Sequence, residues 1–292
     1  MISKKIKYFL ELIQKEKIQK KLKTINLFLS AISFFFIGRF ILNIKNEKSF
    51  EFLFKIDETV LLIIVYFLSA YLWVKLMEAN YQGNKWDYFF NWSYSKLGRY
   101  IPSGLMLISV RINQKIPKEK SPNKIFFGLL EEQFLAPFVS IPAAIIAILF
   151  GKDLGRLVLY VVFQIILFYL FRFYYLRLRS NEPSLIDYPS IYLLNLIVNL
   201  LFFIQVALNL NFQDPYLVGI YYALSSSLGL LFIGVPAGIG IREGIFLLIS
   251  SRLGVDIELV NLIIKIRGLS ILLDIVFGTL GLLRVYYKNE EV

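Results

Sequence analysis

Cysteine and histidine are both absent from this 292-residue chain. That removes disulfides, thiol nucleophiles, Cys/His zinc sites, Ser-His-Asp triads and imidazole bases at one stroke. Any chemistry falls to carboxylates, Arg, Lys, Tyr or Ser. Equally missing are a Gly-, Pro- or Ser-rich linker, a low-complexity tract, a soluble domain of any size and a nucleotide-binding glycine loop. The loop carboxylates Asp57, Asp187 and Asp214 form no Asp-x-Asp cluster of the kind a metal-dependent transferase needs, and are expected in surface turns. No metal, no other cofactor and no nucleic-acid partner is expected.

What is present is apolar. Hydrophobic residues make up 57% of the chain and aromatics 16%, with a mean hydropathy of +0.63. This is the composition of an all-α, polytopic helical membrane protein. Runs long enough to span lie at about 25–43, 59–77, 124–150, 155–177, 188–210, 216–235 and 258–284. They predict seven to eight transmembrane helices. Most of the 27 Phe and 18 Tyr are read as lipid-facing or interfacial bulk.

The formal net charge of +11 is informative through its placement. Residues 1–24 hold eight lysines against Glu11 and Glu16, interleaved with Ile6, Phe9, Leu10 and Ile13 at helical spacing. They read as a basic amphipathic helix on anionic headgroups or as a solvated basic tail that sets topology; residues 25–292 then form a single integral membrane domain. No small-residue cleavage pattern follows the first apolar run, which disfavours a signal peptide. The Lys/Arg bias of the loops puts the N-terminus in the cytoplasm, 44–58 outside, and 111–124 and the loop after 177 inside. An inner, plasma-membrane location follows.

Two segments, 84–112 and 236–254, are apolar enough to enter the membrane but are interrupted by Pro, Gly and charge, as broken or re-entrant helices are. The first contains Arg99-Tyr-Ile-Pro102-Ser-Gly104, with Arg111 beyond; the second contains Pro236-Ala-Gly238-Ile-Gly240-Ile-Arg242-Glu243. Their shared apolar–Pro–small–Gly core is an internal echo, the pattern of a transporter repeat with its site near the midplane. After Gly240 a resuming helix presents unpaired N–H groups and its positive dipole end, and Arg242 adds a charge suited to phosphate or carboxylate. Glu243 either orients Arg242 or neutralises it. Arg99, Arg111, Gly240 and Arg242 are thus the candidate headgroup ligands, and Pro102, Gly104, Pro236 and Gly238 the helix breaks. Glu131, Glu132, Glu243, Arg267 and Asp274 are candidate charge-balancing residues inside the spans. The competing account of each is a kink, a snorkelling cation or a structural ion pair. Arg284 and Lys288 favour a cytoplasmic C-terminus, hence a crossing by 236–254.

These residues carry a resemblance. The run Leu-Gly-Arg99-Tyr-Ile-Pro102-Ser-Gly104, a Glu in the following helix (Glu131 or Glu132), Pro236-Ala-Gly-Ile-Gly240-Ile-Arg242-Glu243, and then Arg267 and Asp274 in the last span together resemble the flippase-like transmembrane domain of lysylphosphatidylglycerol synthases. The resemblance covers nearly the whole chain. Ser103 and Ala237 stand where that family commonly has glycine. It implies broken helices and the movement of amphiphilic lipids between leaflets. In bifunctional members a soluble domain attaches the amino acid; these 292 residues hold none, so aminoacyl transfer is not implied.

The expected function is binding and translocation of an anionic lipid, a phospholipid or a polyprenyl-phosphate lipid, without covalent chemistry. Membrane lipids are the expected partners, with self-association or cell-envelope assembly partners as further ones. Two alternatives stand beside it: a membrane-embedded glycosyl- or lipid-headgroup transferase, with Glu131 or Asp274 as base and Arg242 on a diphosphate, and an envelope-assembly scaffold.

Overall fold

A computed structural model describes residues 55–80, 83–98, 123–178, 184–231, 240–250 and 257–290, with backbone alone at 123–127, 177–178, 257–258 and 285–290. Among them the secondary structure is helical throughout: α1 Ile56–Asn80, α2 Lys85–Leu97, α3 Asn123–Phe150, α4 Leu154–Leu178, a short 3-10 turn Leu185–Asp187, α5 Pro189–Asn209, α6 Pro215–Leu231, α7 Ile241–Ser250 and α8 Ile257–Glu290. By length and composition α3, α4, α5 and α1 can each cross a membrane. The expected basic helix at 1–24 and the run at 25–43 lie outside the described residues.

Local chemistry sets the ends. Asn84 caps α2 by accepting from the Trp86 N–H at 3.0 Å, Ser184 and Asp187 form a reciprocal capping box on the 3-10 turn, and Asp214 accepts from the Leu217 N–H at 2.9 Å to start α6. Asp187 and Asp214 therefore do sit in turns, with a defined role in them. Pro189 and Pro215 open α5 and α6, where a missing N–H costs nothing. Pro137 and Pro142, by contrast, lie inside α3 and deprive the carbonyls of Gln133 and Phe138 of their helical donors, which a packed helix in an apolar bundle tolerates.

Side-chain contacts fix the directions. Asn195 of α5 donates to the Val65 carbonyl at 3.0 Å and to Ser69 Oγ at 2.9 Å, and Tyr188 donates to the Lys75 carbonyl, so α5 runs antiparallel to α1. Helices α3 and α4 form a second antiparallel pair, tied at Gln164–Ser140 and Tyr175–Glu131. Along α6, Gly229 faces Arg242 and Tyr222 faces Phe246 of α7, which makes α7 double back on α6. Helix α8 runs parallel to α1, with Lys265 at Glu58 and Phe277 stacked 4.5 Å from Tyr66. The start of α8 thus lies near the start of α1.

Two helices are short. The 13 residues of α2 reach roughly 20 Å and the 10 of α7 roughly 15 Å, both less than the ~30 Å hydrocarbon core. Each lies antiparallel to the long helix before it, α2 against α1 and α7 against α6.

Two apolar clusters stack along the bundle. One, around Leu200, Phe202, Tyr222, Phe246 and Leu262, fills the end where α1 starts. The other, around Trp73, Trp92, Leu135, Phe168 and Ile186, fills the opposite end. Outside them the surface is apolar too: Val158, Val162, Ile166, Leu170 and Phe173 of α4 and Ile275, Val276 and Leu280 of α8 are exposed. An apolar exterior around an apolar interior suits lipid rather than water.

Helices α2 and α8 touch most closely. A side chain at Gly281 would strike the Phe90 carbonyl oxygen and come within 2.8 Å of the Tyr94 nitrogen, whereas one at Gly278 would meet the end of Leu97 at 2.5 Å. Backbone cannot yield as a leucine can. Gly281→Ala is therefore expected to destabilise by about 1–3 kcal/mol, clearly more than Gly278→Ala, as measured by thermal unfolding in detergent.

Candidate functional site

Two charged side chains of α8 pair with different helices. Lys265 points to α1, Arg267 to α7, and Asp274 lies two turns further on, buried. The described residues at the second break are built as follows. Gly240 has φ 85°, a left-handed conformation glycine adopts without strain, and its carbonyl accepts the first helical bond of α7 from the Gly244 N–H at 2.9 Å. Gly240 is in effect the N-cap, and Glu243 sits at N3. The Glu243 carboxylate reaches back to accept from the Gly240 N–H at 2.6 Å and, through its other oxygen, from Arg267 Nε at 2.5 Å. This is the N3 half of a capping box, with Arg267 donating to the free oxygen of the same carboxylate.

Arg242 lies on the neighbouring face. It packs against Gly229 of α6, where an added Cβ would stand 3.1 Å from Arg242 Cβ and 3.6 Å from its Nε, so glycine at 229 leaves the space the guanidinium stem occupies. The hydroxyl of fully buried Tyr222 lies in the combined field of Arg242, Arg267 and Glu243. Two cations, one carboxylate and a neutral phenol thus gather where the α7 dipole is positive.

The other candidates are placed apart from this group. Glu131 accepts from the Tyr175 hydroxyl at 2.7 Å and from the Leu185 N–H at 2.9 Å, which anchors the 3-10 turn to α3. Glu132, one residue and about 100° round the helix, instead faces Lys96 of α2 at 3.6 Å. Lys96 is buried, stands 3.8 Å over the Trp92 ring and occupies the last turn of α2, where a cation offsets the helix dipole. Arg99, Arg111, Pro102, Gly104, Pro236 and Gly238 lie outside the described residues. Among those described, no three acidic side chains converge as metal ligands would.

The most buried ion pair was not read from the sequence. Lys265 Nζ lies 2.7 Å from Glu58 Oε1, with side chains 7% and 0% exposed. Glu58 also accepts from Asn209 at 2.8 Å, and Asp57 beside it accepts from Gln205 at 2.6 Å. The available signal was Lys265 itself, an ionisable residue inside a span, but its partner lies in what reads as the 44–58 loop. Set against protein-family models, curated proteins and solved structures, the chain matches none of them.

Proposed function

We propose that this chain is a lipid translocase-like membrane protein whose second broken segment holds the anionic head of its cargo, as its resemblance to the flippase-like transmembrane domain implies. The observation that carries the reading is the position of Glu243. Its carboxylate already rests on the Gly240 amide at the N-cap of α7 and on Arg267, which is where a phosphate or carboxylate from a ligand would bind. Glu243 serves as an internal placeholder. When a headgroup arrives it exchanges one anion for another, so the cations are never left bare in a medium of low dielectric.

In this reading α2 and α7 are the half-helices of the two broken segments, the N-terminus is cytoplasmic and the protein resides in the inner membrane. Arg99 and Arg111 add positive charge from the first break, Glu132 and Asp274 balance it, and the bundle opens alternately by rocking about the Pro102 and Pro236 breaks. The test is a leaflet-resolved assay in proteoliposomes with a headgroup-labelled lipid. Labelled phosphatidylglycerol is expected to exchange between leaflets faster than labelled phosphatidylcholine and faster than in protein-free vesicles. Equal rates with and without protein would dismiss transport.

A further inference from the structure

Building on the α7 site proposed above, we propose that Ser226 of α6 is a further ligand of the anion held there, and that this anion is a phosphate rather than a carboxylate. The starting point is a hydroxyl, not a charge. Ser226 is 8% exposed, and its Oγ meets no hydrogen-bonding partner among the described residues. Ser69, Ser225, Ser250 and Ser270 each turn the hydroxyl back on a carbonyl three or four residues earlier in their own helix, at 2.7 to 2.9 Å. Ser226 does not, and a buried hydroxyl left unpaired in an apolar bundle costs stability.

Its position sets its direction. Along α6, Gly229 lies beside Arg242 and the Tyr222 ring stands 5.3 Å from Phe246, both partners being on α7. At 3.6 residues per turn, positions 222, 226 and 229 fall on one stripe. Ser226 therefore lies between the two contacts, on the face that α6 presents to the first turns of α7. Glu243 shows how many oxygens the other donors use: one accepts from the Gly240 N–H at 2.6 Å and the other from Arg267 Nε at 2.5 Å. A carboxylate taking its place is planar and has both oxygens engaged by α7 and α8. A phosphate monoester is tetrahedral and turns a third oxygen out of that plane, where a hydroxyl from α6 can donate to it.

Thermal unfolding in detergent reads this in two ways. Without ligand, Ser226→Ala is expected to melt at or above wild type, because it removes an unpaired hydroxyl and adds a better helix former. With inorganic phosphate or dioctanoyl phosphatidic acid, wild type is expected to gain melting temperature saturably, while acetate at equal ionic strength gives no gain. The affinity for both phosphates should fall about tenfold or more in Ser226→Ala, the loss of one hydrogen bond to a charged group. It should stay at the wild-type value in Ser225→Ala, whose hydroxyl is occupied within its own helix. Tighter binding of the lipid assigns a membrane headgroup as the source, and equal binding a free phosphate. Wild-type affinity in Ser226→Ala, with Arg242→Ala weakened, would remove Ser226 and leave the α7 site standing. Stabilisation by acetate as strong as by phosphate would overturn the choice of phosphate. No stabilisation of wild type by either phosphate would overturn the α7 site and Ser226 with it.

Discussion

Lys265→Met is expected to be the most damaging single substitution, lowering stability by roughly 3–5 kcal/mol. The cost comes from the partner left behind. Glu58 is fully buried, and without the ammonium at 2.7 Å its charge retains, among the described residues, the Asn209 amide at 2.8 Å and the Lys55 N–H at 3.3 Å. Desolvating a carboxylate costs several kcal/mol, and two neutral-type hydrogen bonds recover only part of it. The double variant Glu58→Leu/Lys265→Met should regain most of the loss, because paired removal takes away both the attraction and the desolvation. Denaturation midpoints in detergent for the four proteins of this cycle decide the matter. Additive single and double effects would show that the two side chains contribute independently.

Arg242→Ala is expected to slow lipid exchange by about 10–100-fold, the loss of one or two charge-assisted bonds to the headgroup, with little change in folding. Arg242→Lys should recover part of the rate, since it restores the charge without the planar fork. Glu243→Gln separates binding from turnover. Without its negative charge the placeholder competes less with the cargo, so the headgroup should bind more tightly and leave more slowly. A wild-type exchange rate in Arg242→Ala protein of normal yield and melting temperature would remove the α7 site from the pathway.

The spanning helices were legible because hydropathy is a one-dimensional property. The runs at 59–77, 124–150, 155–177 and 188–210 fall inside or within a residue of α1, α3, α4 and α5. The short helices were visible as interruptions by Pro and Gly, but their direction was not, because it depends on which long helix each one packs against. Glu131 and Glu132 could not be told apart by sequence. Adjacent positions on a helix face different neighbours, and only the fold gives one to Tyr175 and the other to Lys96. Glu58 and Lys265 lie too far apart in the chain for spacing to join them. The close approach at Gly281 was hidden for the same reason, since a glycine inside an apolar helix does not announce the backbone that presses on it.

The placement of Lys265 and Arg267 on α8 has a mechanical side. Two residues apart on a helix, they project about 200° from one another, so one is fastened to α1 and the other to α7 on nearly opposite sides of a single shaft. Releasing Glu243 from Arg267 takes away one of these two polar fastenings and leaves the close packing of α8 on α2 in place. Were a headgroup to displace Glu243 as proposed, α8 would keep its polar tie to the first turn of α1 and lose the one to α7.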